Sequence, residues 1–295
     1  MAISGKMKKW FLVGLTLATI TVTMHSCLQF RMSNSEIDSF FASKKQKGKI
    51  IHFKEGFRSV NYVIVGDDRK PLVVFVHGSP GSLSAFIDFL GDSLLLEQAQ
   101  LISVDRPGFG NANFGNAEPS LQKQAVFLKS IIERHKNNRP VFLVGHSIGG
   151  PLIARVAMDF PKLVDGLIMV APSINPELEP HEWFRAPLAT PFLRWILPRS
   201  FRASNDEIYQ LKPELENMLP LWPRVLAPTI VIQGKKDSLV PFENAFFAKE
   251  KITNAPVSLV MVDGMDHFVP WSHPELIRTA INDMVGTRLP KTKAE

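Results

Sequence analysis

Gly145-His146-Ser147-Ile148-Gly149 fits the pattern G-x-S-x-G. A serine hydroxyl is a weak nucleophile at its free pKa. It attacks a carbonyl when a base takes its proton and an acid orients that base. The chemistry such a serine offers is acyl transfer through a serine ester. The residues around it suit that role. An apolar run, Val141–Val144, precedes the pattern and an amphipathic stretch follows it, which reads as a strand turning sharply into a helix. Without Cβ atoms, Gly145 and Gly149 permit the turn, so the Ser147 hydroxyl projects above the sheet. The helix start at Ile148 supplies a free N–H and the positive end of a dipole, both useful to an oxyanion. The bland alternative is an idle serine in a tight turn, and it weakens once partners are found.

The partners are expected in the chain order serine, acid, histidine. Asp237 follows the apolar run Thr229–Ile232, and His267 follows the run Val257–Val262. Both fall at strand C-terminal ends, where open α/β sheets place their sites. Of the 8 histidines, His267 and His273 stand after both, and only His267 has the right position, just past a strand. His146 is expected to point away through the turn. His77 heads another loop, and His273 lies beyond Pro270. His25, His52, His135 and His181 read as solvated or structural. Asp263 and Asp266 compete with Asp237 for the acid, but they lie too close to His267 in sequence to reach its Nδ1 from a separate loop. A second oxyanion donor is expected in His77-Gly78-Ser79-Pro80-Gly81, after the run Leu72–Val76. Pro80 has no N–H, so Ser79 is the candidate, paired with the N–H of Ile148. Asp105-Arg106-Pro107-Gly108-Phe109-Gly110 reads as a structural turn, with Asp105 a hydrogen-bond anchor.

Positioning these groups requires a particular alternation of elements. Ile50–Phe53 and Val60–Val65 read as a strand pair. Leu72–Val76, Leu101–Val104, Val141–Val144, Leu167–Val170, Thr229–Ile232 and Val257–Val262 are near-continuous apolar runs, as suits parallel strands covered on both faces. Helices are expected behind Ser120, over Ile148–Phe160, over Ala245–Glu250 and over Pro274–Val285. One window breaks the alternation: residues 172–228 hold 10 of the 22 prolines, with Trp183, Phe184, Phe192, Trp195, Phe201 and Trp222. Prolines at that density exclude central strands and predict short helices. The aromatics must pack on something, so the window reads as a lid or pocket wall over the sheet.

Together His77–Gly81, Asp105–Gly110, Gly145–Gly149, Asp237 and His267 resemble the α/β-hydrolase superfamily, over about residues 49–287. The resemblance implies an α/β fold: a mostly parallel eight-stranded sheet, helices on both faces, and a helical lid after the sixth strand. On that pattern the core is 49–172 and 226–287, the lid 173–225 and the tail 288–295. The resemblance further implies no cofactor and no metal. It implies hydrolysis through an acyl-enzyme by the triad Ser147, Asp237 and His267. The family spans carboxylesterases, lipases, C–C bond hydrolases, peptidases and acyltransferases, among which the motifs do not choose. The leading reading is an ester or related acyl bond, and the aromatics of the inserted window point to an apolar acyl or aryl substrate under the lid. Relatives with an aspartate at the turn open epoxides or displace halide; Ser147 speaks against both. Some relatives take the acid from the end of the sixth strand, which makes Glu177 the reserve candidate. An acyltransferase on the same triad and a non-catalytic binding protein are the competing readings.

Ahead of the core, Lys6, Lys8 and Lys9 precede an apolar run from Trp10 to Val22, and Cys27 follows directly. A positive end and a short apolar run match an export signal or an anchor. Cys27 stands where a bacterial lipoprotein would be lipidated, so residues 1–27 are expected to carry the chain out of the cytoplasm and to attach it to a membrane. An uncleaved anchor and plain secretion are the alternatives. Residues 28–48 are polar and charged and read as a tether with a short helix around Ile37–Phe41. A single cysteine excludes a disulfide framework and Cys-rich zinc sites. The net charge of +6, three units of it from those N-terminal lysines, is too small to argue for nucleic acid. The expected partner is a small-molecule ester; composition does not fix an oligomeric state.

Overall fold

The computed structural model describes residues 28–288, apart from Phe57 and Asn137, together with Lys9, Trp10 and Thr16. Apart from Lys9, Trp10 and Thr16, the segment 1–27 expected to act as an export signal or anchor lies outside the described residues, Cys27 included, as does the tail after 288.

Each apolar run of the sequence is a strand: β1 Lys49–Glu55, β2 Arg58–Val65, β3 Leu72–Val76, β4 Gln100–Val104, β5 Val141–His146, β6 Gly166–Val170, β7 Thr229–Gly234 and β8 Val257–Val262. They form one 8-stranded sheet in the order β1-β2-β4-β3-β5-β6-β7-β8. β1 pairs antiparallel with β2, and β2 with β4; every later pairing is parallel. The alternating pleat sends Val60, Tyr62 and Ile64 to one face and Val63 and Val65 to the other. Both faces are buried, which explains runs that are apolar throughout.

The long helices of the body cover those faces. They are α1 Asn34–Ser43, α2 Leu121–His135, α3 Gly149–Asp159, α4 Arg199–Met218, α5 Glu243–Lys251 and α6 Pro274–Arg288. Ser120 caps α2 by accepting from the Lys123 N–H, which relieves one of the unpaired donors of a helix start. Leu121, Ala125, Leu128 and Ile132 then face the same core as α3 and α5. Ile277, Ala280, Ile281 and Met284 of α6 pack on the opposite face.

Two expectations need correction. Residues 28–48 are not a free tether. Ser33 and Glu36 form a reciprocal capping box that starts α1, and α1 buries Ile37 and Phe41 in the core. Two apolar residues four apart on an otherwise polar helix suffice to dock it. The inserted window is also not made of short helices throughout. Short helical segments lie at Pro176–Leu178, Arg185–Ala189 and Pro191–Arg194 as expected, but α4 is 20 residues long and contains Pro213. That proline removes a donor to the carbonyl of Tyr209, a residue that is 44% exposed, so water can replace it. Leu211, Leu215 and Met218 anchor the helix to the core meanwhile.

Candidate active site

The parallel strands deliver their following loops to one edge. Gly145 of β5 lies opposite Val76 of β3, and Gly234 of β7 opposite Val262 of β8. The loops carrying Ser79, Ser147, Asp237 and His267 therefore emerge side by side.

Ser147 sits in the left-handed region at φ 54°, a costly conformation for a residue with a Cβ. Its surroundings enforce it. The Ser147 N–H donates to the Val170 carbonyl at 2.9 Å, and its carbonyl accepts from the Gly150 N–H at 2.9 Å. A Cβ on Gly145 would stand 2.3 Å from the Gly149 carbonyl oxygen, and one on Gly149 would stand 2.3 Å from that of Val76. The two glycines thus let β5 turn into α3 directly against β3. No side chain caps α3, so its first N–H groups and positive dipole end face the serine side.

Asp237 and His267 meet as the spacing requires. His267 Nδ1 donates to Asp237 Oδ2 at 2.8 Å. Asp237 Oδ1 accepts from the N–H groups of Leu239 at 2.9 Å and Val240 at 2.8 Å, and Gln233 Nε2 donates to Oδ2 at 3.1 Å. Burial pushes this carboxyl up, but the hydrogen bonds from His267, Val240 and Leu239 outweigh it and hold the carboxyl below its usual range. With Nδ1 carrying the proton toward an ionised carboxylate, Nε2 of His267 is left to accept. Gly234 makes the approach feasible, since a Cβ there would stand 2.1 Å from the Met265 carbonyl oxygen. The rival acids are elsewhere. Asp263 pairs with Lys235 at 2.8 Å, Asp266 accepts from the Phe268 N–H, and Glu177 is exposed on a short turn.

Two cavities of about 610 Å³ each meet at Ser79, Ser147 and His267. The first runs under the inserted window between Ile148, Leu188, Leu197, Ile208 and Val240, with Glu179, Arg185 and Asn205 among its polar lining. The second opens between Ala85, Leu239, Phe268 and Trp271. Phe201 borders both. Among the described residues, the backbone N–H groups of Ser79 and Ile148 have no internal acceptor. Among the described residues there is also no group of three His, Cys, Asp or Glu side chains that could hold a metal ion.

Three supporting groups escaped sequence reasoning. His146 does not point away: its Nε2 donates to the His267 carbonyl at 2.9 Å and its ring lies 4.8 Å from the His267 ring. Burial, with the nearby His267, lowers its pKa to about 3, so it stays neutral. His77 is likewise neutral. Burial and the adjacent Arg106 hold it well below its ordinary value, and its Nδ1 donates to the Gly78 carbonyl while Nε2 accepts from the Arg106 N–H. Arg106 is fully buried. Its guanidinium donates to the carbonyls of His77 at 2.9 Å and Gly78 at 3.0 Å, and it pairs with Glu207 of α4. The Ser79 loop is thereby tied to the inserted window. Only the bulk of Arg106 inside an apolar turn could have signalled this. Asp105 is the expected anchor, accepting from Asn61 Nδ2 and from the N–H groups of Leu83 and Asn111.

A hydroxyl on a strained turn, an imidazole held by a carboxylate, and two unpaired N–H groups over a forked cavity can together support nucleophilic attack on a carbonyl. The sequence model of the Alpha/beta hydrolase family matches residues 73–280. Rat monoglyceride lipase is 24% identical over 73% of this chain and 81% of its own length. The mouse enzyme is 23% identical over 52% of this chain, a match that spans 59% of the mouse protein. A lipase candidate from Acinetobacter baumannii superposes with a TM-score of 0.64 at 20% identity, over 88% of this chain and 98% of its own.

Proposed function

The chain belongs to the Alpha/beta hydrolase family, and from that premise we propose that it is a serine esterase of the lipase type. Ser147 attacks the acyl carbon. His267 takes the serine proton on Nε2 and then gives it to the leaving alcohol. Asp237 fixes the imidazole tautomer and stabilises the imidazolium without taking its proton. The N–H groups of Ser79 and Ile148 hold the oxyanion of the tetrahedral intermediate. Water enters once the alcohol has left, and His267 acts a second time to release the acid.

The observation that carries this reading is the 2.8 Å contact between His267 Nδ1 and Asp237 beside a serine held at φ 54° in the same cavity. The substrate is a small-molecule ester with an apolar acyl or aryl group beneath the inserted window, which acts as a lid. Leu188, Leu197, Ile208 and Leu211 in the cavity wall support that choice, and so do the names of the lipase relatives. The proposal extends to location: residues 1–27 export the chain and attach it to a membrane, through Cys27 or an uncleaved anchor.

The test is turnover of p-nitrophenyl esters of rising chain length by the wild-type chain and by Ser147→Ala. The reading expects medium-chain or aryl esters to exceed acetate in kcat/KM, at about 0.8 kcal/mol per buried CH₂. It expects the variant to lose on the order of 10³–10⁶-fold. Full activity in folded Ser147→Ala contradicts it.

A further inference from the structure

The second cavity has a wall that the sequence placed far from any site. Phe30 borders it together with Ser147, His267, Phe201, Phe268 and Trp271. Phe30 belongs to the strap of residues 28–32 that precedes α1, not to the sheet, its loops or the inserted window.

The backbone there is built in an unfavourable conformation. Phe30 has φ 48°, in the left-handed region where a bulky side chain is a genuine outlier. A strap that merely connected two segments would have no reason to hold an aromatic in that state. The residues on either side hold it. Ser200 Oγ of α4 donates to the Leu28 carbonyl. Arg31 donates to the Gly110 carbonyl at 2.8 Å and to Asn111 Oδ1 at 3.0 Å, and its guanidinium lies over the Phe114 ring. The conformation turns the Phe30 ring edge-on to Phe201, 5.5 Å between centroids. Phe201 in turn borders both cavities. Despite that contact Phe30 remains 47% exposed, so the packing accounts for only part of the ring. Strain of this kind persists where the surroundings impose it, and it concentrates at ligand sites.

We propose that Phe30 is a specificity-determining residue of the substrate site, with the strap forming the wall of the cavity that receives one arm of the ester. This rests on the esterase reading above. An ester has two arms at its carbonyl, and two cavities meet at Ser147. The cavity under the inserted window carries Glu179, Arg185 and Asn205 beside its apolar residues. The strap cavity has Ser82, Ser84 and His146 in its lining but no carboxylate or guanidinium, and the rest of its outer wall is aromatic and aliphatic, so it takes an apolar arm. A seated chain covers the exposed part of the Phe30 ring and gains from the methylenes it places there.

The test uses the full chain and two ester series. One varies the acyl arm as p-nitrophenyl acetate to decanoate. The other varies the alcohol arm as ethyl to decyl acetate, followed by acid release. The readout is the ratio of kcat/KM between the longest and shortest member of each series. Phe30→Ala should lower that ratio roughly fourfold to fifteenfold in one series, as expected for lost contact with one or two methylenes, and leave the ratio of the other series in place. Phe30→Tyr, which keeps the ring, should keep the ratio. Phe30→Gly suits φ 48° and should melt near the wild-type temperature while losing selectivity like Phe30→Ala, an outcome a purely structural role would not give. Unchanged ratios in both series, or equal losses in both, overturn the inference. Absence of turnover by the wild-type chain would instead count against the esterase reading. The strap is then judged by cis-parinaric acid binding alone: a Kd raised about fivefold in Phe30→Ala supports it, and an unchanged Kd overturns it.

Discussion

Glu207 of α4 meets Arg106 at the end of β4 in an ion pair whose side chains are each 1% exposed. Gln124 Nε2 donates to the same carboxylate at 2.9 Å. The pair joins the inserted window to the loop that carries Ser79, because the other donors of Arg106 hold the carbonyls of His77 and Gly78. Removing one partner leaves a buried charge unpaired. Glu207→Ala is expected to cost about 3–5 kcal/mol in denaturant unfolding and to slow turnover in the fraction that stays folded. Glu207→Gln, which still offers an acceptor, should lose less of both. Equal stability of Glu207→Ala and wild type would remove the pair from the account.

The acid assignment is tested by three single variants. Asp237→Asn should lose about 10³–10⁴-fold in kcat, because the amide no longer holds the Nδ1–H tautomer of His267. Asp266→Asn and Glu177→Gln should turn over at near the wild-type rate, since neither carboxylate reaches the imidazole. Near-normal turnover in Asp237→Asn would move the acid elsewhere.

Stability should rise with pH between about 4 and 6. His146 binds a proton near pH 3 in the folded chain, against 6.5 for an unperturbed imidazole. Between those values the unfolded chain binds more protons, so stability is lost as pH falls. His77 acts in the same direction. Asp105 opposes them: burial raises its pKa from 3.8 to about 6, so in that window it makes stability fall as pH rises. His146→Gln keeps a donor for the His267 carbonyl and removes one titrating group. Unfolding at several pH values should show the slope reduced by about one proton, roughly 1.4 kcal/mol per pH unit. A parallel pair of curves would contradict the neutral, buried state of His146.

What the sequence made legible follows from where the physical signal is local. β3 and β8 match their apolar runs at both ends, and the other strands match to within a few residues. A strand buried on both faces announces itself without help from the rest of the chain. Ser147 was legible because strain demands glycines on either side of it. Asp237 and His267 were legible because each lies in the loop just after a strand. The supporting groups were not. Arg106–Glu207 spans 101 residues, and His146 gains its role from the loop of His267, so neither leaves a local pattern. Phe30 was hidden by its setting: it is the one aromatic of residues 28–39, and a lone aromatic carries no period.

Residues 1–27 call for a separate measurement. If Cys27 is lipidated, native material should partition into detergent, and Cys27→Ser should accumulate as uncleaved precursor. Intact mass that begins at an unmodified Met1 would exclude lipidation.

The central claim is that Ser147 is a nucleophile activated by His267. Peptide mapping after treatment with a fluorophosphonate tests it most directly, because the reagent forms a stable adduct with an activated serine. The account predicts one adduct, on the peptide carrying Gly145–Gly149 and localised to Ser147, formed far more slowly in Asp237→Asn. An unlabelled Ser147 in folded wild-type protein, or an adduct on another residue alone, would contradict it.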